Sequence, residues 1–167
     1  VPALGPRLSW AEAVLHLVPG AQKYEDDLRD QWQSRWHRAE WRRFLRTLLT
    51  THEGGDTPVT VLSGEIHLAT RGTLHSRNGP LHQLVASGVA HPVPPRAYAR
   101  VLGWLAALGE APLPDHPLAL HPLPGRRAVY TAQRNYLIIE RVAGRWQAWW
   151  ELEVEGPTPP LALDPAA

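Results

Sequence analysis

Cysteine and methionine are both missing from this chain of 167 residues. Without thiols there is no disulfide, no thiolate metal site and no cysteine nucleophile, so any bound metal has to be held by imidazole and carboxylate groups. Met is absent even at position 1, although translation begins with it, and we therefore expect an excised piece of a longer polypeptide or a processed product. No apolar run approaches the roughly 20 residues of a membrane span, and no basic-then-apolar leader opens the sequence, so a soluble chain is expected. Neither sign of charge dominates: 17 Lys and Arg stand against 16 Asp and Glu, which leaves no global field to recruit nucleic acid or an anionic membrane. A charged ligand would have to be gripped locally.

What is present suits one modest folded domain, with 44% apolar and 20% charged residues. Ser9-Trp10-Ala11-Glu12 has the form of a capping box ahead of an apolar run that stops at Pro19-Gly20, which predicts a short helix over 9–18. Between Tyr24 and Leu49 the apolar residues follow two stripes, Leu28, Trp32 and Trp36 on one and Trp41, Phe44, Leu45 and Leu48 on another. Two helices meeting near Ser34 account for this, the second capped by Ser34 and running to about Thr51. Pro58 to Ser63 is short, β-branched and apolar on both faces, as expected of a central strand covered on two sides. Leu68–Leu74 and Leu81–Ser87 read as further strands, and Tyr98, Val101, Leu102, Leu105 and Leu108 mark a helix stopped by Gly109.

Five prolines between 110 and 125 remove amide donors and predict an irregular connector. Beyond it, Arg127–Gln133, Tyr136–Val142 and Arg145–Val154 read as three antiparallel strands with turns at Arg134-Asn135 and Ala143-Gly144. The fold class is therefore α/β in the wide sense (α+β), a mixed sheet plus a three-stranded antiparallel section. Residues 1–155 form the domain, and 156–167 a Pro/Ala-rich tail.

Glu65 and His67 are two apart, so on an extended backbone both side chains emerge on one face, and Gly64 lets the chain approach a ligand closely. An oxygen and an imidazole directly after a buried strand suit Zn, Mn, Fe or similar ions, yet a metal centre takes at least three protein ligands. Taken alone, a Glu-x-His pair is more often a surface or hydrogen-bonded feature.

The whole run Val59-Thr60-Val61-Leu62-Ser63-Gly64-Glu65-Ile66-His67-Leu68-Ala69 resembles the late motif of the alkaline phosphatase D-like metallophosphatases, a buried strand ending in Ser-Gly-Asp-x-His. Asp26 to Trp32, Ser34 to Glu40, and Leu84-Val85-Ala86-Ser87-Gly88 are similar to the segments around that motif in bacterial relatives, so the resemblance spans roughly residues 5–155. It implies the C-terminal half of a calcineurin-like αββα sandwich and a phosphomonoester or phosphodiester hydrolase with two divalent or trivalent metal ions, Fe, Zn, Mn or Ca. In that reading His67 is a metal ligand, and Glu65, standing where Asp is usual, is a ligand or an outer-sphere carboxylate. The remaining ligands and the general acid belong to motifs absent here, an Asp-x-His, a Gly-Asp and an Asn-His. The partner implied is thus the N-terminal part of the same polypeptide, without which the fragment is expected to be inactive. Relatives include exported and non-exported proteins, which leaves cytoplasm and periplasm both open. The alternative is a noncatalytic module derived from such an enzyme and used for protein binding, with Glu65 as the mark of relaxed metal selection.

Other residues have a plain reading beside a functional one. Arg71 and Arg77 follow the motif closely and offer guanidinium forks that fit phosphate oxygens, and His37 could contact substrate from one turn into its helix. Asp26, Asp27 and Asp30 suit helix capping better than metal binding. His75 and His82 read as surface or sheet histidines, and His91, His116 and His121, among prolines, as loop residues. The eight Trp residues follow helical or alternating spacing, as core aromatics do, with Trp149 the one on an outer strand face. Arg35, Arg38, Arg42, Arg43 and Arg46 make one helix basic, and a solvated face explains them.

Overall fold

The computed structural model describes residues 37–55, 57–64, 67–90, 92–106 and 110–164. The predicted helix at 9–18, the Ser34 cap and Asp26, Asp27 and Asp30 lie outside the described residues, as do Glu65, Ile66 and His91. The chain divides into two compact units, 1–48 and 49–167, and both sheets belong to the second.

Helix α1 (Arg38–Gly54) crosses the boundary between the units. Trp41, Leu45 and Leu49, four apart, form its buried stripe, and Arg43 and Arg46 are exposed as a solvated face requires, with Arg38 and Arg42 half-buried. The helix outlasts its expected stop by three residues and ends at glycine. His52, in its last turn, is 3% exposed, and its Nδ1 accepts the backbone N–H of Val59 at 2.9 Å.

The first sheet holds β1 (Thr60–Gly64), β2 (Thr70–Leu74), β3 (Leu81–Ala86), β4 (Glu110–Leu113) and β5 (His116–His121) in the order β1-β3-β2-β5-β4. β1 runs parallel to β3, and the other pairs are antiparallel. Helix α2 (Arg96–Ala106) precedes β4. Ala99 is buried on it, whereas Val101 and Trp104 are exposed, so the expected stripe is only partly covered.

Two expectations are corrected in this sheet. β1 is not central: among the described residues it ends the sheet, and Leu62 is 57% exposed. Apolar residues on both faces said that the strand was hydrophobic, but burial depends on neighbours that a single segment does not reveal. Residues 110–125, read as an irregular connector, contain the β4–β5 hairpin. Proline is tolerated there because Pro112 sits in the end strand, beside a shift of register between Glu110 and Leu113, and Pro117 uses only its carbonyl, which accepts the N–H of His75 at 3.0 Å. Pro114 and Asp115 make the turn, Asp115 with φ 62, the left-handed second corner of a type II turn.

The second sheet is built on β6 (Asn135–Val142) and β7 (Arg145–Leu152), paired along their whole length from Asn135↔Leu152 to Val142↔Arg145. Ala143 and Gly144, with φ 48 and 83, form the expected two-residue turn. The third strand expected at 127–133 reduces to one bridge, Ala69↔Thr131. On the other side of the hairpin, β8 (Gly156–Pro157) and β9 (Leu161–Ala162) pair with β7, so 156–164 is not a bare tail. Ala69, Leu84, Leu123, Ala148, Trp150, Leu152 and Leu163 form a buried cluster joining the sheets, and the Trp150 indole N–H donates to the Val85 carbonyl at 2.9 Å. The mixed α/β, α+β class holds.

Candidate functional site

The parallel pairing of β1 with β3 brings two carboxyl ends together, Gly64 opposite Ala86. In the sequence Glu65-Ile66-His67 follows β1, and Ser87-Gly88 follows β3. The start of β6 completes the surroundings, giving an open hollow of about 620 Å³ lined by Ser63, Gly64, Ser87, Asn135, Tyr136 and Leu137 among others. Ends of parallel strands leave backbone groups without ladder partners, which is why such places collect ligands.

Asn135 fixes one wall. Its Oδ1 accepts the N–H of Ser87 at 3.1 Å, and its Nδ2 donates to Ser87 Oγ at 2.9 Å and to the Gln133 carbonyl at 2.7 Å. Ser87 Oγ also donates to that carbonyl, and Gln133 Oε1 accepts the N–H of Val154 at 3.2 Å. All three residues are at most 9% exposed, and the network joins the end of β3 to the start of β6 and to Val154, just past β7, by direct hydrogen bonds.

His67 is half-buried, and its φ of 57 places it in the left-handed region. The alternation that would put Glu65 and His67 on one face assumes an extended backbone, and it does not hold through residue 67. Histidine is among the residues that enter this region more readily, and an L-residue held there commonly marks a place where geometry is dictated by function. Gly64 meets only the Ala86 carbonyl at 3.9 Å from a notional Cβ, an ordinary contact, so space does not force glycine there. Among the described residues no three His, Asp or Glu side chains converge closely enough to hold a metal ion, and His67 is the one described donor of the motif. The described residues therefore do not make up a metal site by themselves.

The secondary candidates separate. Arg77 is engaged by Glu53, whose Oε1 accepts the Arg77 N–H at 3.0 Å and whose Oε2 lies 3.6 Å from its Nε. That hydrogen bond, above all, holds the Glu53 carboxyl below its usual range, and the Arg77 charge adds to it. His75 is exposed, and its carbonyl meets His116 Nδ1 at 2.8 Å. His37 is exposed in the turn before α1, in the first unit. The Trp149 indole N–H donates to Glu151 at 3.1 Å, and Trp150 is fully buried.

Arg71 is half-buried on β2, with Nε donating to the Pro122 carbonyl at 2.8 Å. Directly paired residues project to the same side of a sheet, so Arg71 and Thr73 share a face with His82 on β3 and His121 on β5. Thr73 Oγ1 and His121 Nε2 are 2.7 Å apart in a hydrogen bond. Burial pushes the pKa of both imidazoles down, and the Arg71 charge pushes them further. This grouping was missed in the sequence because His121 lies in the segment set aside as a connector. Compared with protein families, curated proteins and solved structures, the chain finds no match.

Proposed function

We propose that this chain is the C-terminal portion of a metal-dependent phosphoester hydrolase and contributes His67, with Glu65 beside it, to a dinuclear centre. The observation that carries the reading is Gly64 at the carboxyl end of β1, in a parallel pair and lining an open hollow, with His67, three residues on, in a left-handed conformation. When bound, such a metal pair supplies Lewis acidity toward a phosphoryl oxygen and lowers the pKa of a bound water. The part played by this chain is positional. β1 delivers the motif, the Asn135–Ser87–Gln133 network fixes the opposite wall, and Gly64 keeps the floor free of side-chain bulk. The remaining ligands and the general acid are supplied from outside this chain, and the calcineurin-like half-sandwich belongs to the same proposal.

The test is metal analysis by mass spectrometry of the parent polypeptide, purified without chelator, together with hydrolysis of a generic phosphomonoester and phosphodiester. Bound metal and turnover are expected. His67→Ala should lower turnover more than about a hundredfold, because even outer-sphere partners of a metal are worth 10- to 100-fold. A folded parent with no metal and no turnover would overturn the hydrolase and leave a noncatalytic binding module.

A further inference from the structure

At the other end of the parallel pair, four residues and so about 13 Å along the strands from Gly64, His82 stands level with Thr60. Around it are Thr73 and Arg71 from β2, His121 from β5, and the electrostatic influence of His52 from α1. We propose that Arg71, Thr73, His52, His82 and His121 form a binding site for a small oxyanion of the phosphate type, separate from the Gly64–His67 segment. The proposal does not depend on the hydrolase reading.

The cluster is rich in donors and has no carboxylate of its own. Glu53, next to His52 in the sequence, is engaged by Arg77. Among the described residues Arg71 pairs with no acidic side chain, and its one hydrogen bond is the Nε contact to Pro122, which orients the guanidinium and leaves both Nη groups for a ligand. His52 strengthens the case. Its Nδ1 accepts from Val59, so the ring carries its proton on Nε2, and that buried N–H has no acceptor among the described residues. His82 Nδ1 is likewise buried without a partner among them. A half-buried cation and an orphan buried donor are both unfavourable, and an anion with several oxygens relieves both at once. The His82 and His121 imidazoles are held neutral by burial and by Arg71, and the Thr73–His121 hydrogen bond leaves one donor of that pair, the hydroxyl or the other ring N–H, for the ligand.

The experiment titrates the full chain with inorganic phosphate, in chelator so that no metal-held phosphate contributes, with chloride keeping the ionic strength constant. Binding is read by calorimetry and by the ring ¹⁵N resonances of the histidines. Saturable shifts of His82 and His121 are expected, with affinity lowered about tenfold or more by Arg71→Gln. Should that variant unfold, Arg71→Lys, which keeps the charge but not the fork, should show a smaller loss in the same direction. A parallel titration with glycerol phosphate separates a site for the free ion from one for a phosphate ester. Ring resonances that respond to phosphate no more than to chloride, or a folded Arg71 variant that binds like the wild type, would overturn the site.

Discussion

His82 and His121 show what a few ångströms of burial do to a side chain whose ordinary pKa is near 6.5. Burial lowers both values in the folded chain, so below pH 6.5 the unfolded chain takes up protons that the folded one refuses. The contribution of these groups is complete above that pH and is lost as pH falls from there through the lowered folded values. Urea midpoints measured at pH 7.5 and 5.5 should therefore drop at the lower pH, and His82→Gln with His121→Gln should shrink the difference. Glu53 does not confuse this window, because its lowered pKa acts only below its ordinary value of 4.5. At this scale the sequence was most legible where local periodicity places a side chain, as at Trp41 and Leu45 on the buried stripe of α1. It was least legible where residues far apart in the chain meet. His52, Arg71, His82 and His121 come from four elements, and no local spacing announces their grouping.

Elements with their own turn chemistry were readable, and those defined by partners were not. Ala143-Gly144 between two alternating runs announced the β6–β7 hairpin, which pairs as expected. β1, β2, β3 and both described helices were also found within a few residues. The β4–β5 hairpin was obscured by proline, whose missing amide forbids a central strand but not an end strand or a bulge. The strand expected at 127–133 had suitable residues but found only a single bridging partner, at Thr131. The joint between β3 and β6 depends on one side chain. Asn135→Ala leaves the buried Ser87 N–H and the Gln133 carbonyl short of partners, and it should lower unfolding free energy by about 1–3 kcal/mol, measured by urea titration. Asn135→Asp, which keeps the acceptor and loses the donor, should retain part of that.

For the molecule as a whole, the last residues are structural. Thr158 grips Trp150 twice, its N–H donating to the Trp150 carbonyl at 2.9 Å and its Oγ1 accepting the Trp150 N–H at 3.1 Å. Leu163, 7% exposed, belongs to the shared core. Ending the chain after Glu155 removes that side chain, worth about 1.5–3 kcal/mol, and two hydrogen bonds of about 1 kcal/mol each. A loss of about 3 kcal/mol or more in unfolding free energy is expected, with a matching fall in melting temperature. Composition suggested a tail because Pro and Ala carry little patterning. What holds the segment is backbone pairing with β7, to which composition is blind.

The ends of the five-stranded sheet are unlike each other. At β4, Pro112 lacks an amide and the pairing with β5 shifts register, so the end strand is irregular. At β1, Thr60 to Gly64 have no outer neighbour among the described residues, and Leu62 is exposed. Among those residues the sheet is thus polar in its capacity to grow: a further strand would find a regular ladder beside β1 and not beside β4.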